Sequence, residues 1–284
     1  MMESAESSID IRLTPWPWLA QLRPACIGEP MYLFFPHAGG SPLSAGAFAA
    51  ALPQTSGVMA VNLPRVQADG PLPKRVTQAV GPLVAVIQSW LADSTPHPQC
   101  QRLLLVGNSY GALLAYEVAR QLTDLALPVE RLIVSGFRSP AALPTDTPLY
   151  RLPSDLLYAE LRSRFGSTPR SPSDEHLSLE EALRADLEAC DTYRHAAVAP
   201  LPIPVEVLHM IDDPSISLQD LQEWQAVTAH PLRVSRVRGG HFPWATEART
   251  LAPLFTQLLQ SGDVESEDDT STALVISSDK EGRT

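Results

Sequence analysis

Gly107-Asn108-Ser109-Tyr110-Gly111 is a Gly-x-Ser-x-Gly run, entered from Leu103-Leu-Leu-Val106 and left through Ala112-Leu-Leu-Ala-Tyr116. An apolar run leading straight into a helical stretch places such a serine on a sharp strand-to-helix turn, with its hydroxyl above the end of a sheet. Small residues flank the turn because larger ones would collide with the neighbouring strand and helix. A serine hydroxyl is barely nucleophilic at neutral pH and needs a base within hydrogen-bond reach, itself held by an acid. On such a sheet the acid follows the serine and the histidine comes last. Asp212-Asp213-Pro214 follows the apolar run 205–211, and Gly239-Gly240-His241 follows the run ending at Val237. Ser109 is therefore the candidate nucleophile and His241 the candidate base. Two adjacent aspartates compete for the acid. Asp213 is preferred, because it lies further along the loop, just before proline, leaving Asp212 as a turn residue or supporting acceptor.

Attack by Ser109 on an acyl carbonyl would build negative charge on oxygen, which requires amide donors; losing one costs about a hundredfold to a thousandfold in rate. The backbone N–H of Tyr110, next to the nucleophile, is one candidate donor. The other is the backbone N–H of Ala38, in the glycine-rich loop Phe35-Pro-His-Ala-Gly-Gly-Ser41. His37 either shapes that hole or makes a structural hydrogen bond. His97, His176, His195, His209 and His230 have no motif or ligand spacing and are read as structural or surface groups. No metal site is expected, and Gly39-Gly40 lacks the Gly-Lys-Ser/Thr that follows in a phosphate-binding loop.

These residues need a scaffold that carries their loops on one rim. Short apolar runs at 31–35, 58–63, 103–106, 132–135, 205–211 and 232–237 alternate with helix-length stretches, the pattern of a parallel sheet covered by helices on both faces. The roughly 65 residues between the fourth and fifth runs are too long for a bare connection. Leu179, Leu183, Leu187, Cys190 and Tyr193 recur there at helical steps, which puts them on one face. A shorter helix is expected to start at Ser154 as N-cap and to bury Leu157, Leu161 and Phe165. Together they read as a helical cap over the sheet edge. Residues 1–28 read as an irregular arm anchored by Trp16 and Trp18, and 263–284 as a flexible acidic tail.

The 284 residues carry 44% hydrophobic and 19% charged residues, enough apolar material for a sizeable core. A formal charge of −11 argues against nucleic acid or an anionic membrane as the main partner. The three cysteines, Cys26, Cys100 and Cys190, are too scattered for a disulfide framework. No basic start with an apolar run marks a secretory signal, and no run approaches the roughly 18 apolar residues of a membrane span. A cytoplasmic monomer is expected.

Several collinear segments resemble one family, the stand-alone type II thioesterases of polyketide and nonribosomal peptide assembly lines. They are Phe34-Phe-Pro-His-Ala-Gly-Gly-Ser41, Gly107-Asn-Ser-Tyr-Gly-Ala-Leu-Leu-Ala-Tyr-Glu117, Val134-Ser-Gly136, Leu183-Arg-Ala-Asp-Leu-Glu-Ala-Cys-Asp-Thr-Tyr193, Asp212-Asp-Pro214 and Gly239-Gly-His-Phe242. The Pro-His-Ala-Gly-Gly and Leu-Arg-Ala-Asp pieces are more specific than the serine motif. The resemblance implies an α/β-hydrolase fold over residues 29–262 with a lid at about 137–200, and hydrolysis of acyl groups from the phosphopantetheine thiol of acyl or peptidyl carrier proteins, with no cofactor. Ser109, Asp213 and His241 match the family's nucleophile, acid and base, and Ala38 with Tyr110 its oxyanion hole. Three positions depart from the pattern. Asn108 replaces the usual histidine, Tyr110 is bulkier than the usual Met or Leu, and Leu63-Pro64-Arg65-Val66-Gln67 stands for Leu-Pro-Gly-Arg. A carboxylesterase or lipase, an acyltransferase, and a non-catalytic hydrolase-fold binding protein are the competing readings.

Overall fold

The computed structural model describes residues 12–65, 70–93, 102–142, 147–166, 174–246, 251 and 253–255. Its eight strands form one sheet in the order β1 (Arg12–Leu13), β2 (Leu19–Arg23), β4 (Gly57–Val61), β3 (Met31–Phe35), β5 (Leu103–Asn108), β6 (Val129–Ser135), β7 (Val205–Met210), β8 (Arg233–Val237). The six from β4 to β8 in this spatial order are parallel, while β2 runs antiparallel to β4 and β1 to β2. The expected parallel sheet with flanking helices is what forms.

β3 and β4 are apolar and buried at every position, and β5 and β6 are so over 103–106 and 132–134, because both faces of the sheet are covered. In β3, Met31, Leu33 and Phe35 join the core beneath α2 (Val76–Ala92) and α3 (Tyr110–Asp124), whereas Tyr32 and Phe34 join the core on the opposite face. That second core includes Phe48 of α1 (Gly46–Ala51) and Trp244 of α7 (Pro243–Thr246). Tyr32, Phe48 and Phe255 pack there edge to face, with ring centroids 5.2–5.9 Å apart. A short helix, α6 (Leu218–Gln222), follows β7. Parallel strands put their carboxyl ends on one rim, which gathers the loops after β3, β5, β6, β7 and β8.

Several expectations are corrected. The span 1–28 contains β1 and β2, so its described part is sheet edge rather than irregular arm. Only Leu19 and Ala20 of β2 are fully buried, which left too short an apolar signal to read as a strand. Trp16 and Trp18 do pack, half-buried, on the core. In the cap, α4 (Ser154–Phe165) has Pro153 at its N-cap, with Ser154 as its first turn, where the serine hydroxyl donates to Glu180 instead. It buries Leu157 and Leu161. On α5 (Asp174–Thr192), Leu183 and Leu187 face inward but Leu179 is exposed. The strand expected at 31–35 is met at both ends, and the other five differ at one or both ends by one to three residues. Residues 1–11, His97, Cys100 and the acidic tail lie outside the described residues.

Among the described glycines, the closest approach is at the start of α3. A β-carbon on Gly111 would collide with the backbone carbonyl of Phe35 at the end of β3. Gly111→Ala must therefore push α3 off the sheet, and we expect a loss of at least about 2 kcal/mol, read as a fall of on the order of 5 °C in the calorimetric midpoint.

Candidate active site

Ser109 is the single residue between β5 and α3, and its backbone sits at φ +55°, ψ −125°. For a residue with a β-carbon this costs roughly 1–3 kcal/mol and persists only when its surroundings enforce it. They do so here through two backbone bonds: Ser109 N–H donates to Ser135 O (2.9 Å), and Ala112 N–H donates to Ser109 O (2.8 Å). The hydroxyl is thereby lifted above the rim, half-buried.

Asp213 and His241 are brought together from the loops after β7 and β8. His241 Nδ1 donates to Asp213 Oδ2 at 2.8 Å, and both side chains are buried, 2% and 3% exposed. Burial alone would raise the Asp213 carboxyl, but the bond and charge of His241, together with the hydroxyl and amide of Ser215, outweigh it and hold the group below the usual carboxylate range. Of the two competing aspartates it is thus Asp213 that meets the histidine. Asp212 clamps the two loops instead: its Oδ2 accepts from Gly239 N–H (3.0 Å) and its own N–H donates to Gly239 O (3.1 Å).

Two supporting residues escaped sequence reasoning. Ser215 Oγ donates to Asp213 Oδ1 (2.6 Å) and lies 3.1 Å from His241 Nδ1. The Asp-x-Ser spacing, which favours a local side-chain-to-backbone turn, was the available signal, and Ser215 N–H indeed closes onto Asp213 Oδ1 (2.9 Å). Asn108, fully buried beside Ser109, donates its amide to Ser135 Oγ (3.1 Å) and to the backbone carbonyl of His241 (3.0 Å). The residue next to the serine therefore holds the backbone of the histidine.

Among the described residues the Ser109 hydroxyl makes no hydrogen bond to the imidazole. The Phe165 ring, at the end of α4, lies over His241 with centroids 4.3 Å apart. The cap is thus closed on the site, and serine–histidine bonds in unliganded sites commonly tighten only once substrate is bound. Beneath it Leu149, Leu157, Leu161, Leu183 and Leu187 form an apolar cluster against which Ala38, Tyr158 and Phe165 pack.

The loop after β3 turns at residues 37–40, closed by Gly40 N–H donating to His37 O (2.8 Å). Ala38 and Tyr110 N–H donate to no group among the described residues. His37 packs edge-on against Phe242 (4.7 Å), and burial, then the neighbouring His241 and Arg65, push its pKa down to about 4, so it is neutral at neutral pH. Of the other histidines, His195 meets Tyr116 OH (2.9 Å) and His230 meets Pro202 O (3.2 Å). No group of three metal-ligating side chains and no helix long and apolar enough to cross a membrane occurs among the described residues.

A family model described as "Thioesterase domain" matches residues 32–256. The chain is 31% identical over 228 residues to the thioesterase PikA5 of Streptomyces venezuelae, covering 79% of each. Its structure superposes on that of the type II thioesterase BorB from the borrelidin biosynthetic cluster with a TM-score of 0.71 at 28% identity, covering 86% of this chain and 96% of that one. YbtT, a type II thioesterase from the yersiniabactin NRPS/PKS pathway, gives a TM-score of 0.69 at 25% identity, covering 86% and 97%.

Beside the imidazole, one glycine is closely enclosed. Gly136, after β6, has φ +63°, and a β-carbon there would lie 2.9 Å from Asn108 Nδ2 and 3.1 Å from His241 Cε1. Gly136→Ala should displace the imidazole by a fraction of an ångström, slowing covalent labelling of Ser109 by a fluorophosphonate about tenfold or more. Intact-mass time courses check this.

Proposed function

The chain belongs to the thioesterase family, and from that premise we propose that it hydrolyses acyl thioesters held on the phosphopantetheine arm of carrier proteins in polyketide or nonribosomal peptide assembly, removing stalled or wrongly loaded groups. The observation that carries this reading is the buried Asp213–His241 hydrogen bond beside the strained turn that presents Ser109.

In the proposed mechanism Ser109 Oγ attacks the thioester carbonyl while His241 takes its proton, Asp213 having fixed the ring so that the other nitrogen faces the site. The C–S bond then breaks, and the thiol leaves with the proton from His241. Water, activated by the same ring, attacks the acyl-serine, releasing the acid and restoring Ser109. Ala38 and Tyr110 N–H, which meet no acceptor among the described residues, would receive the oxyanion in both halves. Neutral His37 suits this cycle, because a second cation beside His241 would oppose its protonation. The apolar underside of the cap, taken as a lid over about 137–200, favours acyl chains and limits water. No cofactor is needed. The chain is proposed to work as a monomer in the cytoplasm.

Ser109→Ala and His241→Ala should each lower kcat at least about a thousandfold without unfolding the protein. Asp213→Asn should be similarly severe, whereas Asp212→Asn, whose amide oxygen can still accept from Gly239 N–H, should stay within about tenfold. Hydrolysis of acyl-carrier thioesters followed by mass spectrometry, beside simple oxygen esters, tests the assignment. Preference for oxygen esters would favour a carboxylesterase, acyl transfer to an added alcohol an acyltransferase, and absence of a fluorophosphonate adduct at Ser109 a binding protein.

A further inference from the structure

Within the Leu183-Arg184-Ala185-Asp186 segment of α5, Leu183 and Asp186 face the 37–40 turn, whereas Arg184 faces the entry to α4. Asp186 is 2% exposed, and a single oxygen, Oδ2, accepts both Gly39 N–H (2.8 Å) and Arg65 Nη1 (2.5 Å). Leu183 covers the same turn: a β-carbon on Gly39, whose φ is +72°, would lie 3.1 Å from Leu183 Cδ1. On the other side of α5, Arg184 Nη1 donates to the carbonyls of Tyr150 (2.9 Å) and Leu152 (2.7 Å), at the entry to α4. One helix thus grips both the turn that carries Ala38 and the segment that leads to Phe165.

The peptide geometry of the turn explains what this grip does. His37 C=O and Ala38 N–H belong to one peptide plane and point in opposite directions, so the bond from Gly40 N–H to His37 O also aims Ala38 N–H. The next peptide, between Ala38 and Gly39, has two accessible orientations in a four-residue turn, and a positive φ at the third residue belongs to only one of them. Gly39 N–H is the group whose direction distinguishes these forms, and Asp186 accepts it. A lone carboxylate this close to a developing oxyanion would oppose the reaction; Arg65, in the segment that departs from the family pattern, neutralises it. Burial pushes the Asp186 carboxyl up, against the pull of Arg65 and of Gly39 N–H, so its ionisation depends on these partners.

We propose that Asp186, reaching from the lid helix, is a positioning residue that anchors the 37–40 turn through Gly39 N–H, so that the Gly40–His37 bond can keep Ala38 N–H aimed at the oxyanion, with Arg65 as its obligatory counter-charge. This rests on the thioesterase reading above and deepens it: the hole is complete only while α5 is docked.

The test compares wild type, D186L, D186N, R65M and D186N/R65M on an acyl-N-acetylcysteamine thioester. It reads kcat, KM, the inhibition constant of an alkylboronic acid whose serine adduct places an oxygen in the hole, and the thermal midpoint. D186L should lose about 10–100-fold in kcat and a similar factor in boronate affinity, with KM changed less than about threefold. D186N, whose amide oxygen can occupy the Oδ2 position, should remain within about fivefold of wild type. R65M should be worse than D186N, because it strands a buried charge beside the hole, and adding D186N should recover most of that loss. The proposal is overturned if D186L leaves boronate affinity unchanged, if D186N is as damaging as D186L, or if R65M and D186N simply add. Should D186L fail to fold, the D186N/R65M comparison decides alone. A wild type that binds boronate but cleaves no thioester would sink the functional reading, while the boronate series would still judge Asp186.

Discussion

One constraint orders the rest of the molecule: the chain must pass from β5 into α3 within a single residue, and that residue is a serine at a positive φ. Nothing local favours this, so the strain must be supported by contacts from several elements. Gly111 lets α3 press against the end of β3, the Ser109 amide is tied to β6, and Asn108 carries the constraint outward to the loop after β8. The same contacts that enforce the turn therefore also set where the histidine loop lies. Placing a hydroxyl and an imidazole on one rim is in this sense a packing result before it is a chemical one.

Around that rim the charges are arranged so that few stand uncompensated. Asp213 is held ionised by the group it serves and by Ser215, while burial and the neighbouring His241 and Arg65 keep His37 neutral. Asp186 is balanced by Arg65. In the proposed cycle the charge that comes and goes is then the proton on His241, opposite the transient oxyanion. A low-dielectric site magnifies each of these terms, which is why an unpaired group there would be costly.

Much of this was legible before any coordinates. Continuous apolar runs marked the parallel strands because burial on both faces removes polar alternation, and loops after such strands were the natural places for chemistry. Ser109, Asp213 and His241 stand at such places, and the ordering of the two aspartates agrees with the hydrogen bonds they make. What stayed hidden depends on contacts remote in sequence. The strand β2 buries only two apolar residues and owes its form to pairing with β4. Leu179 kept the helical spacing of its neighbours but is exposed, because spacing alone does not say where along a helix its cover ends. The link from Asp186 to Gly39 spans 147 positions, and no periodicity reports such a pair. Ser215 had a recognisable turn signal, but its second contact, to His241, required knowing where β8 ends.

The pairing of β2 with β4 also bears on how the polypeptide can be handled. Leu19 through Arg23 occupy the flank of β4, and removing them would bare a row of backbone amides and carbonyls along Gly57–Val61, a ready template for another molecule's strand. Purification tags and fusion partners accordingly belong ahead of Arg12, and trimming the chain back to β3 would leave the β4 edge open to strand-by-strand association.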